Sequence, residues 1–200
     1  MIAVVRSELY RLSTIRSSAL SLAIFTCLGT ILGVIGSDFW ALLAGVGAFG
    51  FGVTGVSQHF QHRTAVLLYL ARPRRIRVLI GQLITTVIVG FGFTAISGLI
   101  VLIQGNRERY LITLLVAPIM AVLGAAAAAI ARSATMLFVG FVAWIIFVEA
   151  MYGTLQEPLP FSAYLDAASG DVQKLLILLG WTTATIIGAA VAIRRDLTGD

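Results

Sequence analysis

The chain has 200 residues, of which 59% are hydrophobic and only 12% are charged. A soluble domain typically has about 25% charged residues, so this composition excludes a soluble globular enzyme, a disordered chain and a disulfide scaffold. The net charge is +5, and the charged residues lie at the ends of apolar blocks. This placement indicates that they determine the membrane topology and do not bind nucleic acid.

Residues 1–16 predict a helix that lies in the membrane interface before the first span. Val5 and Leu9 recur on one helical face, whereas Glu8 and Arg11 fall elsewhere. A helix with this distribution of side chains lies flat, with its apolar face toward the acyl chains. The alternative is a simple helical extension of the first span.

Six apolar blocks follow, and each is long enough to span a bilayer. One span needs about 20 apolar residues, so six spans use about 120 positions of the chain. The sequence therefore predicts an all-α polytopic membrane protein with a single transmembrane domain. The predicted spans cover residues 17–36, 39–56, 78–102, 111–131, 134–153 and 175–193, with a cytoplasmic segment at 57–77 and an outer loop at 154–171.

The basic residues predict the orientation of these spans. With the N-terminus inside, only Arg107, Arg109 and Lys174 of the 14 basic residues fall in outer segments. Cytoplasmic loops of membrane proteins carry an excess of Lys and Arg. Both termini are therefore expected in the cytoplasm.

The chain carries no nucleotide or metal motif. A P-loop needs Gly-Lys-Ser/Thr, but Lys174, the only lysine, follows Gly170-Asp-Val-Gln. The glycines within residues 45–55 lie in mid-span, where small residues favour close helix packing. His59 and His62 have no nearby Cys or carboxylate and make a poor metal site. We therefore expect no cofactor in this chain and no enzymatic activity of its own.

Two features remain after these exclusions. The segment 57–77 is the longest predicted cytoplasmic connection, and its five arginines would also attract anionic lipid headgroups. Glu149 is the only acid placed within a span, about one turn from the outer end of the fifth. It is expected to be protonated or to accept hydrogen bonds from the backbone of 154–171, with a place on a transport path as the alternative.

Seven short segments lie in a defined order along nearly the whole chain: Ser7-Glu8-x-x-Arg11, His59-Phe-Gln-His-Arg-Thr64, Leu70-Ala-Arg-Pro-Arg-Arg75, Ala131-Arg-Ser133, Phe147-Val-Glu-Ala150, Leu159-Pro-Phe161 and Ile193-Arg-Arg-Asp196. In sequence and order, these segments resemble those of the bacterial ABC-2 type transporter permeases. In that family the positions of His59, Gln61 and Arg63 are often occupied by Glu, Arg and Gly, so the charge pattern departs here.

The resemblance implies the membrane subunit of an ATP-driven exporter in the bacterial inner (plasma) membrane. Such a subunit pairs with a second permease, identical or different, and with two copies of a separate ATPase that bind ATP and Mg. The substrate would be hydrophobic or amphipathic. The resemblance places the contact with the ATPase at His59, Gln61, His62, Arg63, Thr64, Arg72, Pro73, Arg74 and Arg75.

A second class of function fits the same composition. A non-transport membrane scaffold or assembly protein would share the six spans and would need no coupling segment. An ion channel is a third interpretation, but no span carries a ring of acids or a filter-like sequence.

Overall fold

The computed structural model describes residues 2–61, 75–152 and 158–195. Within these ranges the chain is helical and contains no strand, which confirms the predicted all-α class. The helices are α1 Ile2–Thr14, α2 Arg16–Ile35, α3 Ser37–Gln61, α4 Arg75–Ser97, α5 Leu99–Ile103, α6 Arg107–Ala131, α7 Ala134–Ala143 with a π-helical continuation Trp144–Tyr152, α8 Pro160–Ala168 and α9 Val172–Arg195.

Six helices in the described ranges are long and apolar enough to cross a membrane, as the sequence predicts. They are α2, α3, α4, α6, α7 with its continuation, and α9. At a rise of 1.5 Å per residue, each of them approaches or exceeds the thickness of the hydrocarbon core, about 30 Å. We call the side of the bundle where α3 ends and α4 begins the α1 side, because α1 packs there.

The two helices α3 and α6 pack at the centre of the bundle, where small residues bring their backbones together. Gly52 of α3 lies against the carbonyl of Ala121, and Gly124 of α6 lies against the carbonyl of Phe49. A Cβ atom at either glycine would overlap these carbonyl oxygens. Because lipid provides no hydrophobic drive between helices, such close packing is what associates spans. The predicted packing role is thus confirmed at Gly52.

Helices α2 and α7 lie at the periphery of the bundle. Only 11% of the α2 span and 6% of the α7 span are buried within the chain. Their outward faces carry large apolar side chains such as Ile31 and Val139. On its inner face, α2 presents Gly29 and Gly33, which have G-x-x-x-G spacing, to α4 and α5. The outer faces of α2 and α7 therefore offer an apolar surface to lipid or to another span.

The predicted third span, 78–102, is divided in the structure. The backbone turns at Gly98 (φ −90°, ψ 0°), where α4 ends and the short helix α5 begins. The indole of Trp40 fills the space beside Gly98, where a Cβ atom would overlap the ring. Trp40 also donates its Nε1–H to the hydroxyl of Ser97 at 3.2 Å. The break is therefore formed around a buried tryptophan of α3.

Two polar contacts close the side of the bundle opposite α1. Arg109 at the start of α6 pairs with Asp38 at the start of α3 at 2.8 Å. The hydroxyl of Tyr164 in α8 donates to the carbonyl of Ala41 in α3 at 2.6 Å. Tyr164 is fully buried, and this burial raises the pKa of its phenol, an effect that the positive charge of Arg109 opposes. Tyr164 therefore stays a neutral donor at physiological pH.

The stretch 154–171 contains a buried helix, where the sequence indicated only an outer loop. This helix, α8, buries Phe161 and Ala167 against the bundle. Pro160 is its first helical residue, a position where the fixed φ and the missing N–H of proline suit a helix. The side of the bundle opposite α1 is therefore covered by α8.

Candidate functional site

Helix α1 is separate from the first span and is held against the bundle by Arg11. Ile15, between α1 and α2, has an extended backbone (φ −78°, ψ 108°), which rules out a simple helical extension. Arg11 Nη2 donates to the carbonyl of Gly55 in α3 at 2.8 Å and pairs with Glu8 at 2.9 Å. Glu8 is only 5% exposed. These two charged residues therefore face the bundle, where each neutralises the other.

The residues expected to contact an ATPase lie at and between the ends of α3 and α4. His59 and Gln61 are in the last turn of α3 and Arg75 begins α4; the structure describes the backbone of these residues but not their side chains. Their contacts therefore stay a prediction. The remaining members of this group lie outside the described residues: His62, Arg63, Thr64, Arg72, Pro73 and Arg74.

Glu149 is completely buried and accepts four hydrogen bonds. Its Oε1 accepts from the indole N–H of Trp144 at 2.8 Å and from the backbone N–H of Phe161 at 3.1 Å. Its Oε2 accepts from the backbone N–H of Ser162 at 2.5 Å and from the Ser162 hydroxyl at 2.7 Å. The hydrogen bonds expected from the backbone of 154–171 are present.

The carboxylate of Glu149 caps the first turn of α8 from a neighbouring element. The first N–H groups of a helix have no partner within the helix and carry the positive end of its dipole. Leu159, which precedes α8, makes no side-chain cap, and Pro160 has no N–H, so Phe161 and Ser162 supply the first donors. A carboxylate has about four lone-pair sites, and all are occupied here, which leaves no acceptor for a transported solute.

A cavity of about 800 Å³ lies between α2, α3 and α4. Its volume falls in the usual range of small-molecule sites, about 300–1,000 Å³. Toward the centre of the bundle its walls are aromatic, with Phe25 and Phe51. At the α1 side its walls are polar, with Arg11, Gln58 and Gln82. The cavity thus offers two chemically different ends to one ligand.

This cavity was not predicted from the sequence, because all mid-span glycines were assigned to packing. Gly50 and Gly55 line the cavity and have no tight neighbour. The nearest contacts of a Cβ atom would be Phe138 at 3.5 Å and Thr86 at 3.8 Å, which are ordinary van der Waals distances. The packing role therefore does not extend to these two glycines. One signal in the sequence could have indicated the cavity: the predicted third span contains several polar residues, and Gln82 is one of them.

The described part of the chain brings no three His, Cys, Asp or Glu side chains together in a way that would hold a metal ion. Comparisons with protein-family models, curated proteins and solved structures found no match to this chain. Four features of the molecule therefore bear on its function. They are Arg11, which holds α1 to α3, Glu149, which caps α8, the cavity between α2, α3 and α4, and the arginine-rich segment 57–77.

Proposed function

We propose that the chain is the membrane subunit of an ATP-driven exporter, of the ABC-2 permease type that it resembles. It would work in the bacterial plasma membrane with both termini in the cytoplasm, as a pair with a second permease subunit. ATP and Mg would bind to a separate ATPase, present in two copies. The transported molecule would be hydrophobic or amphipathic. The α1 side would then be the cytoplasmic side.

The observation that carries this proposal is the link between α1 and the end of α3. Arg11 holds α1 to Gly55 by a 2.8 Å hydrogen bond. Gly55 lies less than two helical turns before α3 ends at Gln61, and the last turn of α3 is part of the arginine-rich segment 57–77. A partner that moved this segment would move the end of α3, and α1 would follow because it is bonded to α3.

The same helix would carry that motion to the centre of the bundle. Backbone contact between Gly52 and Ala121 leaves no space for α3 to slide past α6 without moving it. Close-packed interfaces switch between discrete arrangements more readily than they deform continuously. This supports a role for α3 in transmitting nucleotide-driven motion from the ATPase to the spans.

The peripheral helices support the pairing of two permease subunits. The spans α2 and α7 bury little of their surface within the chain, and their outer faces are apolar. A second subunit packed there would enclose a path between the two bundles. ATP binding would favour one arrangement of the pair through differential contacts, and no chemistry would occur in this chain.

The test is a capture of the tagged chain from its native membranes in mild detergent, followed by mass spectrometry and an ATPase assay. We expect a P-loop ATPase to co-purify with the captured chain, in equal amount if both permease subunits are this chain and in twofold amount if the second subunit is a different chain. Capture of the chain without any nucleotide-binding protein would contradict the proposal and would favour the membrane scaffold.

A further inference from the structure

The cavity between α2, α3 and α4 has the depth of one membrane leaflet. Along α3 its lining runs from Gln58 at the α1 side to Val46. These residues are twelve positions apart (58 − 46), or about 18 Å at 1.5 Å per residue. Half of a hydrocarbon core of about 30 Å is about 15 Å. The cavity therefore extends from the edge of the bilayer to its middle.

The polar end of the cavity contains buried groups without partners. Among the described residues, Arg11 Nε and Gln58 Oε1 are buried and make no hydrogen bond. Gln82 lines the same end of the cavity and is only 6% exposed. Buried polar groups in native proteins are normally paired. These three side chains therefore offer donors and acceptors to a ligand headgroup.

The other end of the cavity suits a hydrocarbon chain. The rings of Phe25 and Phe51 meet edge to face there, with centroids 5.7 Å apart. Leu22 of α2 and Phe138 of α7 also line the cavity, and each is 36% exposed on the surface of the bundle. The apolar end of the cavity therefore reaches the surface of the bundle at these two side chains.

We propose that this cavity binds one single-chain amphiphile with an uncharged, hydroxyl-bearing headgroup. Glu8 and Arg11 form an ion pair at the polar end, so they add no net charge there to attract an ionic headgroup. A hydroxyl group both donates and accepts, which matches the unpaired oxygen of Gln58, the unpaired N–H of Arg11 and the amide of Gln82. The hydrocarbon chain lies along the aromatic walls toward the middle of the bilayer. This site needs neither ATP nor a partner and does not depend on the exporter proposal.

The test uses the purified chain in phosphatidylcholine nanodiscs with radiolabelled monolauroylglycerol as the probe. We expect saturable binding of one probe molecule per chain. Gln82→Leu should weaken this binding at least tenfold, because it removes the amide and keeps a similar volume. Gln104→Leu is the matched control: Gln104 bonds to the Val34 carbonyl on the opposite side of the bundle, so its loss should leave binding unchanged.

A second pair of variants tests the position of the site without removing polar groups. Gly50→Leu fills the cavity and should abolish saturable binding, whereas Gly140→Leu should not, because nothing lies within 4 Å of a Cβ atom at Gly140. Size-exclusion profiles identify any variant that has unfolded. Wild-type binding by folded Gly50→Leu would overturn the proposed site.

Competition tests the headgroup. Monolauroylglycerol should displace the probe at least tenfold more effectively than laurate or dodecyltrimethylammonium. Equal displacement by the uncharged, anionic and cationic amphiphiles would overturn the proposed headgroup selectivity. Because no ATPase is present, these results do not depend on whether the chain belongs to an exporter.

Discussion

Ser162 donates two hydrogen bonds to Glu149, one from its backbone N–H and one from its hydroxyl, at 2.5 and 2.7 Å. This contact joins the last part of the fifth span to the first turn of α8. Together with Trp144 and Phe161, it holds the carboxylate of a completely buried acid in a fixed position. The cost of burying a charged group in a membrane protein is offset here by the helix that the group caps.

Removal of this cap should destabilise the protein. Glu149→Ala leaves the backbone N–H groups of Phe161 and Ser162 buried without an acceptor, and we expect a loss of about 3 kcal/mol in the free energy of unfolding. Denaturant unfolding in detergent measures it. Glu108→Ala, which removes an exposed acid from the first turn of α6, should cost less than about 1 kcal/mol. Equal losses in the two variants would show that the cap contributes no specific stability.

The contact between α3 and α6 should tolerate no side chain at Gly52. Gly52→Ala would place a Cβ atom on the carbonyl oxygen of Ala121, so we expect a lower melting temperature and separation of the two helices. Gly92→Ala is the control, because nothing lies within 4 Å of a Cβ atom there. In a helix, alanine is about 1 kcal/mol more favourable than glycine, so the control should be neutral or more stable. A stabilising effect of Gly52→Ala would contradict the observed packing.

Tyr164 should make stability fall in alkaline solution. Burial raises the pKa of its phenol above the ordinary value of 10.0, so folded and unfolded chains both keep the proton below pH 10 and the full stability is present. Above pH 10 the unfolded chain loses this proton first, and stability declines with rising pH. Tyr164→Phe should remove this decline and should cost about 1 kcal/mol at neutral pH through the lost bond to Ala41.

Melting temperatures of both forms between about pH 9 and pH 11 measure the alkaline effect. Tyr10→Phe, at a side chain 72% exposed, should keep the wild-type slope. If Tyr164→Phe shows the same slope as the wild type, the phenol does not titrate on unfolding in the expected manner.

Arg11 should determine how firmly α1 is held. Arg11→Ala removes the bond to Gly55 and the pair with Glu8, so the amides of α1 should exchange with solvent deuterium at least several-fold faster. Arg6→Ala, at an exposed position of the same helix, should leave exchange nearly unchanged. Unchanged exchange in Arg11→Ala would mean that apolar contacts alone hold α1.

The sequence was sufficient to predict the spans because their length and apolar composition are set by the bilayer itself. It also indicated the packing of Gly52, since a small residue in mid-span has few other uses. The helix α8 was missed because its cap comes from Glu149 in another element, and no local pattern records such a partner. The inward position of Glu8 was missed because amphipathic periodicity does not reveal that an ion pair can be buried.

The cavity is harder to predict from a single sequence than the spans are. In the sequence, Gly50 and Gly55 look the same as the glycines of α3 that pack tightly. Only the positions of α2 and α4 in the fold distinguish the two groups. A cavity forms where the side chains of neighbouring helices do not contact each other. Patterns along one helix do not contain that information.

The most direct test of the exporter proposal is the ATPase activity of the complex captured from native membranes, reconstituted in lipid. Arg74→Glu with Arg75→Glu should abolish the stimulation of ATP hydrolysis by this chain while the protein still inserts. Arg194→Glu with Arg195→Glu makes the same charge change on the same side of the membrane and should leave stimulation intact. Full stimulation in both double variants would contradict a coupling role for the arginine-rich segment, and the absence of any stimulation by the wild type would contradict the exporter itself.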